Sequence, residues 1–258
     1  TTTSQVFSSI ENIIGSTEND NIVGNSSKNT LRGGAGNDKI YGIAGANSLY
    51  GDSGNDTIFS GTGSDYIDGG ADNNTVDYTN AHNSSNVRVN LSGSAQTLNA
   101  TTTNNMTGAT SAMTDTLVDI QNVNTGAGND TIWGSSTKNM IDSGAGNDTI
   151  FVNAGNDTIN AGSGADIIYG GTDVEVINAQ DGNDSIVASA GADEIDGGNN
   201  IDLVDYSSSS TGITLTLLND GATVSVSHNI GGVSSDSLTN IEGIKGSTNA
   251  SNNLVGNN

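Results

Sequence analysis

The 258-residue sequence predicts an all-β fold in which two nine-residue units make one coil of a parallel solenoid. Three observations lead there. A nonamer repeats sixteen times in two uninterrupted blocks, each copy carries one aliphatic residue at its eighth position, and 36 glycines recur at a density that no helix tolerates.

Composition narrows the class before any element is placed. With 29 Asp and Glu against 6 Lys and Arg, the net charge of −23 excludes a nucleic-acid binder driven by phosphate neutralisation. Ile, Leu, Val and Phe make up only 53 of 258 residues, too few for an ordinary globular core, so burial must come from a regular arrangement of aliphatics. No apolar run approaches the roughly 18 residues of a membrane helix, so no membrane insertion is expected. The opening Thr1-Thr2-Thr3-Ser4-Gln5 lacks the basic and apolar regions of a leader. The absence of Cys excludes a disulfide scaffold. The first residue is not Met and the last seven, Asn252 to Asn258, stop in mid-pattern, which reads as a piece of a longer chain.

The first seven units start at Gly15, Gly24, Gly33, Gly42, Gly51, Ser60 and Gly69, and nine more fill Thr125 to Asp205. The clearest copies are Gly33-Gly34-Ala35-Gly36-Asn37-Asp38-Lys39-Ile40-Tyr41 and Ser143-Gly144-Ala145-Gly146-Asn147-Asp148-Thr149-Ile150-Phe151. Position 8 is Ile, Leu or Val in all sixteen. A lone aliphatic between polar neighbours is a strand of about three residues with one side chain inward. The Gly-rich remainder supplies the positive-φ turn that reverses the chain. Position 6 is acidic in twelve copies and Asn in the other four, Asn29, Asn47, Asn74 and Asn139.

This nonamer resembles the glycine-rich calcium-binding repeat of RTX proteins, G-G-x-G-x-D-x-U-x. The resemblance implies a right-handed parallel β-roll, with Ca²⁺ held between same-side turns by position-6 carboxylates and turn carbonyls. Same-side turns lie 18 residues apart, so each edge can be written as a ladder. In the first block one edge reads Asp20, Asp38, Asp56, Asn74 and the other Asn29, Asn47, Asp65. The second edge loses glycines and carries Lys28, and is expected to hold little metal. In the second block the edges read Asp130, Asp148, Asp166, Asp184, Asp202 and Asn139, Asp157, Glu175, Asp193. Ca²⁺ needs six to eight oxygens, and pairs of acid-bearing turns total about eight sites. Without a cation, these stacked acids would repel one another.

The division expected along the chain is the end of a preceding spacer (1–14), a first block (15–78), a spacer (79–124), a second block (125–206), a spacer (207–245) and the start of a third block (246–258). The spacers are rich in Ser, Thr and Asn, and each follows an Asp-Tyr pair, Asp77-Tyr78 or Asp205-Tyr206. Val87 to Leu91, Ile213 to Leu217 and Val224 to Val226 alternate like strands. Both spacers re-enter the repeat through similar phrases, Asp115 to Val123 and Asp236 to Ile244, and Ser8 to Ile13 matches their ends, which suggests an array of long super-repeats.

No catalytic constellation is present, so no enzymatic role is expected. His82 and His228 are the only histidines and both lie in spacers. Gly51-Asp52-Ser53-Gly54 is similar to the nucleophile loop of chymotrypsin-like proteases, but it lies in phase with the nonamers. At position 9, which points outward, Tyr41 and Phe59 form one aromatic ladder and Trp133, Phe151 and Tyr169 another. Each either stabilises its own sheet or offers a contact face to a glycan or another chain.

The function expected is that of a calcium-binding structural or adhesive segment of a large secreted bacterial protein, such as a surface-layer or biofilm adhesin. Similarity to RTX proteins implies export in unfolded form by a type I route and folding on calcium at the cell surface. Calcium is the expected partner, with other copies of the chain or surface polysaccharide as further candidates. The alternatives are the folding and secretion module of a type I secreted enzyme or toxin, which would normally be one block beside a catalytic domain, and a polysaccharide-binding module.

Overall fold

The computed structural model describes residues 10–82, 86–91, 100–103, 112–216 and 223–255. These residues form parallel strands, most of them three residues long, wound into a β-roll of about nine turns. The single helical segment among them is the four-residue Thr79–His82.

Three sheets carry the roll. The first runs through Asn12–Ile14, Thr30–Ala35, Ser48–Ser53 and Tyr66–Asp68, then takes in Ala112–Val118, with Ala100–Thr103 antiparallel outside it. The third begins with Arg88–Asn90, runs through Thr131–Trp133, Thr149–Phe151, Ile167–Tyr169, Ser185–Val187 and Leu203–Asp205, and reaches Gly243–Lys245. Between them in chain order lies an eleven-stranded sheet common to both blocks. Its strands pair in one register, with Val76 opposite Val123 and Val123 opposite Ile141, so the first spacer contributes a rung instead of interrupting the stack. The sheet ends in the antiparallel hairpin of Val224–Asn229 and Val233–Thr239. A fourth, two-stranded sheet joins Thr214–Thr216 to Asn253–Val255. The strands expected in the spacers are therefore present where described; Leu217 falls outside the described residues.

Each spacer follows the same plan. One strand, Arg88–Asn90 or Thr214–Thr216, opens a new sheet, while a longer one, Ala112–Val118 or Val233–Thr239, ends an old sheet with an antiparallel partner. The chain thus hands over one sheet at each spacer while its neighbour runs on.

The core is a single file. Leu31, Ile40, Leu49, Ile58, Ile67, Val76, Ile132, Ile141, Ile150, Ile159, Ile168 and their equivalents are fully buried, and the spacer residues Val89, Leu117, Val123, Leu215 and Leu238 join them in one cluster. With 3.3 Å per residue along a strand, a three-residue strand can bury only its middle side chain, so each coil adds two aliphatics. The turns depend on glycine. Gly146 sits at φ +127°, and a Cβ there would overlap the Gly128 carbonyl oxygen one coil below.

Because every aliphatic is stacked directly on the aliphatics of the rungs before and after it, as Ile141 is on Val123 and Ile159, no side chain can move in to fill a gap. Ile141→Ala, in the sheet shared by both blocks, should cost about 2–5 kcal/mol. Denaturant unfolding of the calcium-saturated protein measures it, and a loss below about 0.5 kcal/mol would contradict a tightly packed shared core.

Candidate calcium-binding edges

Position 6 lies two residues before the inward aliphatic, at the mouth of each strand, and its side chain is tied to the coil before it. The main-chain N–H of Asp130 donates to Oδ1 of Asp148 (2.7 Å), that of Asp148 to Asp166 (2.7 Å), that of Asp166 to Asp184 (2.8 Å) and that of Asp184 to Asp202 (2.8 Å). In the first block Asp20 donates to Asp38 (2.7 Å) and Asp38 to Asp56 (2.8 Å). On the other edges Asn29 donates to Asn47 (2.8 Å), Asn139 to Asp157 (2.7 Å) and Glu175 to Asp193 (3.0 Å). An amide oxygen satisfies this bond as well as a carboxylate does, so Asn at position 6 keeps the turn but carries no charge.

The second oxygen distinguishes the acids. Oδ2 of Asp38, Asp56, Asp65, Asp130, Asp148, Asp157, Asp166, Asp184 and Asp202 is buried without a hydrogen-bond partner, and both carboxylate oxygens of Glu175 are in the same condition. Position-1 glycines make room for these atoms. A Cβ on Gly33 would overlap Oδ2 of Asp38, and one on Gly51 would overlap that of Asp56. Two of the expected ligands differ. Asp20 is partly exposed and its Oδ2 accepts from the N–H (2.6 Å) and hydroxyl (2.9 Å) of Ser16, and Oδ2 of Asp193 accepts from Ser189 Oγ (3.4 Å).

Burial makes the charged form costly. It pushes Asp148 up to about 7, with the neighbouring Asp130 and Asp166 carboxylates adding to the rise and the Asp130 amide opposing it. Burial likewise pushes Asp202 up to about 7, and Asp56, Asp157 and Asp166 up to about 6. It raises Glu175 as well, and Asp193 beside it adds to the effect. A row of buried, partnerless carboxylate oxygens fits a hard cation. Among the described residues no three His, Cys, Asp or Glu side chains converge on one point. Each turn brings one carboxylate, so a Ca²⁺ ion held here would need the carboxylates of two successive turns together with main-chain carbonyls to reach six to eight oxygens.

The edges also extend beyond the nonamers. Asp65 donates to Asp115 (2.8 Å), Asn74 to Gln121 (2.7 Å), Asp193 to Asp236 (2.9 Å) and Asp202 to Glu242 (2.9 Å). These four acceptors belong to the two re-entry phrases, which the nine-residue count passes over. The signal was nonetheless there: each stands two residues before an inward aliphatic, Leu117, Val123, Leu238 or Ile244, the same offset as position 6 to position 8. Through Gln121, whose carbonyl accepts from Asn139 Nδ2 (2.6 Å), the Asp20 edge of the first block runs into the Asn139 edge of the second. Along the shared sheet the sequence is therefore acids, three amides at the joint between blocks, then acids again.

Position 5 forms a second ladder in the opposite sense, unforeseen in the sequence. Asn37 donates its N–H to Asn19 Oδ1 (2.8 Å), Asn55 to Asn37 (2.9 Å) and Asn147 to Asn129 (2.8 Å).

The aromatic columns stack as the spacing predicts, Tyr41 on Phe59 at 4.3 Å and Trp133, Phe151 and Tyr169 at 5.4 and 4.7 Å, with planes within 4°. Parallel rings one rung apart spend their faces on each other, and the Arg88 guanidinium lies over Trp133 at 5.3 Å. Each face given to a neighbouring ring or to Arg88 is a face no longer free for a sugar, which stacks on faces.

Two outcomes follow. Asp148→Ala should raise the calcium midpoint for folding more than Asn47→Ala, since Asp148 lies between two acid-bearing turns; equal effects in a calcium titration followed by CD would contradict the edge assignment. The second concerns pH. Carboxylates whose folded-state values are raised stabilise the metal-free fold below about pH 4 and lose that contribution as pH rises through 6 to 7. Calcium needs the deprotonated form, so acid should release calcium from the folded, loaded chain as pH falls through the range where the buried carboxylates take up protons, near 7 to 6 for Asp148 and Asp166. Calcium retained by the folded chain unchanged between about pH 7.5 and 5.5 at limiting free calcium would contradict this.

Comparison with known proteins agrees with the geometry. A family model of the RTX calcium-binding nonapeptide repeat, in four copies, matches residues 14–47, 41–76, 120–150, 142–174 and 169–204, more than half of the chain. No curated protein matches it. With coil, turn and carboxylate edges all in the phase of that repeat, the chain belongs to the RTX calcium-binding repeat family and binds Ca²⁺.

Proposed function

We propose that the chain is a structural, adhesive segment of a large bacterial surface protein, exported unfolded and folded by calcium outside the cell. The observation that carries this is the row of buried carboxylate oxygens without partners, combined with a net charge of −23. A chain with this charge and so little apolar surface repels itself when metal is scarce, and compacts when cations neutralise the edges. About eight bound Ca²⁺ ions would supply most of the missing positive charge. The sheet shared by two blocks, with a spacer plan used twice, suits a long array that spans distance, and the roll has no catalytic role in this reading. Because the aromatic columns consume their own faces, other copies of the chain are favoured over polysaccharide as lateral partners.

In excess EGTA the chain should lose most of its β signal, and calcium should restore it with a midpoint of about 0.1–1 mM, typical of extracellular modules. An unchanged far-UV CD spectrum in chelator would overturn the calcium-driven part. Antibodies against the folded chain should label intact producing cells and lose that labelling after chelation; labelling only after permeabilisation would overturn the surface assignment.

A further inference from the structure

Two rungs, each the last of its sheet, have a buried tyrosine beside the carboxylate. Where the first sheet ends, the last acceptor is Asp115, and where the shared sheet ends it is Asp236. Both carboxylates are buried, yet neither has an orphaned oxygen. At Asp236, Oδ1 takes the Asp193 N–H (2.9 Å) and the His228 Nε2 lies 3.1 Å from it, while Oδ2 accepts the hydroxyl of Tyr206 (2.7 Å). Tyr206 is fully buried and its ring lies 5.5 Å from that of His228. At the other end rung Tyr78 is equally buried and lies beside Asp115, whose carboxylate together with burial holds the phenol proton firmly. The two tyrosines are the second members of the Asp-Tyr pairs that precede the spacers.

The oxygen that a tyrosine serves at Asp236 is the one left without a partner at nine interior aspartates. A phenol hydroxyl can donate one hydrogen bond to a carboxylate in the position where a cation would otherwise stand. We propose that Tyr78 and Tyr206 are built-in substitutes for calcium, closing the terminal carboxylate of each finished edge so that it needs no ion. Placement supports this: each tyrosine sits at the spacer where a sheet stops, beside the last carboxylate of that sheet. The edge that runs on past the second spacer has no tyrosine at its re-entry rung, where Asp202 meets Glu242. There a tyrosine ends one acid-bearing edge while the next, with Asp184 and Asp202 Oδ2 buried and unpartnered, stays open to metal; at the first spacer the edge that runs on is carried by the amides Asn74 and Gln121. Residues 115, 236 and 242 all lie outside the segments matched by the family model.

The test counts ions. Equilibrium dialysis of the folded chain against ⁴⁵Ca²⁺ should give the same number bound for Asp236→Asn as for the parent chain, while Asp184→Asn, an interior rung, should lose at least one. Tyr206→Phe, which strips the hydroxyl and leaves Asp236 Oδ2 open, should bind one ion more. Equal losses in Asp236→Asn and Asp184→Asn would overturn the proposal, as would an unchanged count in a folded Tyr206→Phe. If that variant does not fold, the comparison of Asp236→Asn with Asp184→Asn decides alone. An independent readout is the near-UV tyrosine signal of Tyr206, which should persist in Asp236→Asn because the amide can still pair with the phenol.

Discussion

Everything in this roll follows from a hydrogen bond between coils. The main-chain N–H at position 6 has no partner within its own coil, so the side chain 18 residues later supplies one. A carboxylate does this with one oxygen and leaves the other buried. Repeated up an edge, the arrangement is a column of negative charge in a region that solvent reaches poorly, with raised proton affinity as the symptom. Three remedies are visible along the chain. Asn at position 6 removes the charge, tyrosine supplies a hydrogen-bond donor at an edge's end, and the remaining acids call for a cation.

The amides fall where they keep the joint intact. Asn74, Gln121 and Asn139 follow one another along the shared sheet at the place where the first sheet finishes and the third begins. That joint already lacks the regular nonamer and holds the inserted spacer. Val76, Val123 and Ile141 stay in register there across rungs that carry no charge to repel one another.

The nonamer period carried most of the architecture in plain view. Sixteen aliphatics at position 8, spaced nine apart, leave little besides two strands per coil, and the acidic column beside them points to the edges. What the period concealed lies in the spacers. Asp115, Gln121, Asp236 and Glu242 occupy edge positions, but the insertions before them change the 18-residue interval to 50, 47, 43 and 40. Partners that far apart cannot be matched by counting. The closeness of the aromatic columns was also beyond the sequence, because spacing places the rings one rung apart but does not fix that they lie parallel, within 4°. The sharing of one sheet by both blocks was hidden for a related reason: which face a chain re-enters after a spacer depends on the path of the insertion.

That sharing sets how the molecule carries a load. In a roll the strands lie across the long axis and their hydrogen bonds run along it, so a pull on the ends acts on the bonds between rungs. If all sheets stopped together at each spacer, every spacer would be a plane joined by a single covalent thread, the first place to part. Here the terminations are staggered, as courses of brick overlap in a wall. Where the first sheet closes at Val118, the pairing of Thr75–Asp77 with Asn122–Asn124 continues across the gap. Tension therefore passes from one block to the next through paired backbone as well as through the connecting chain.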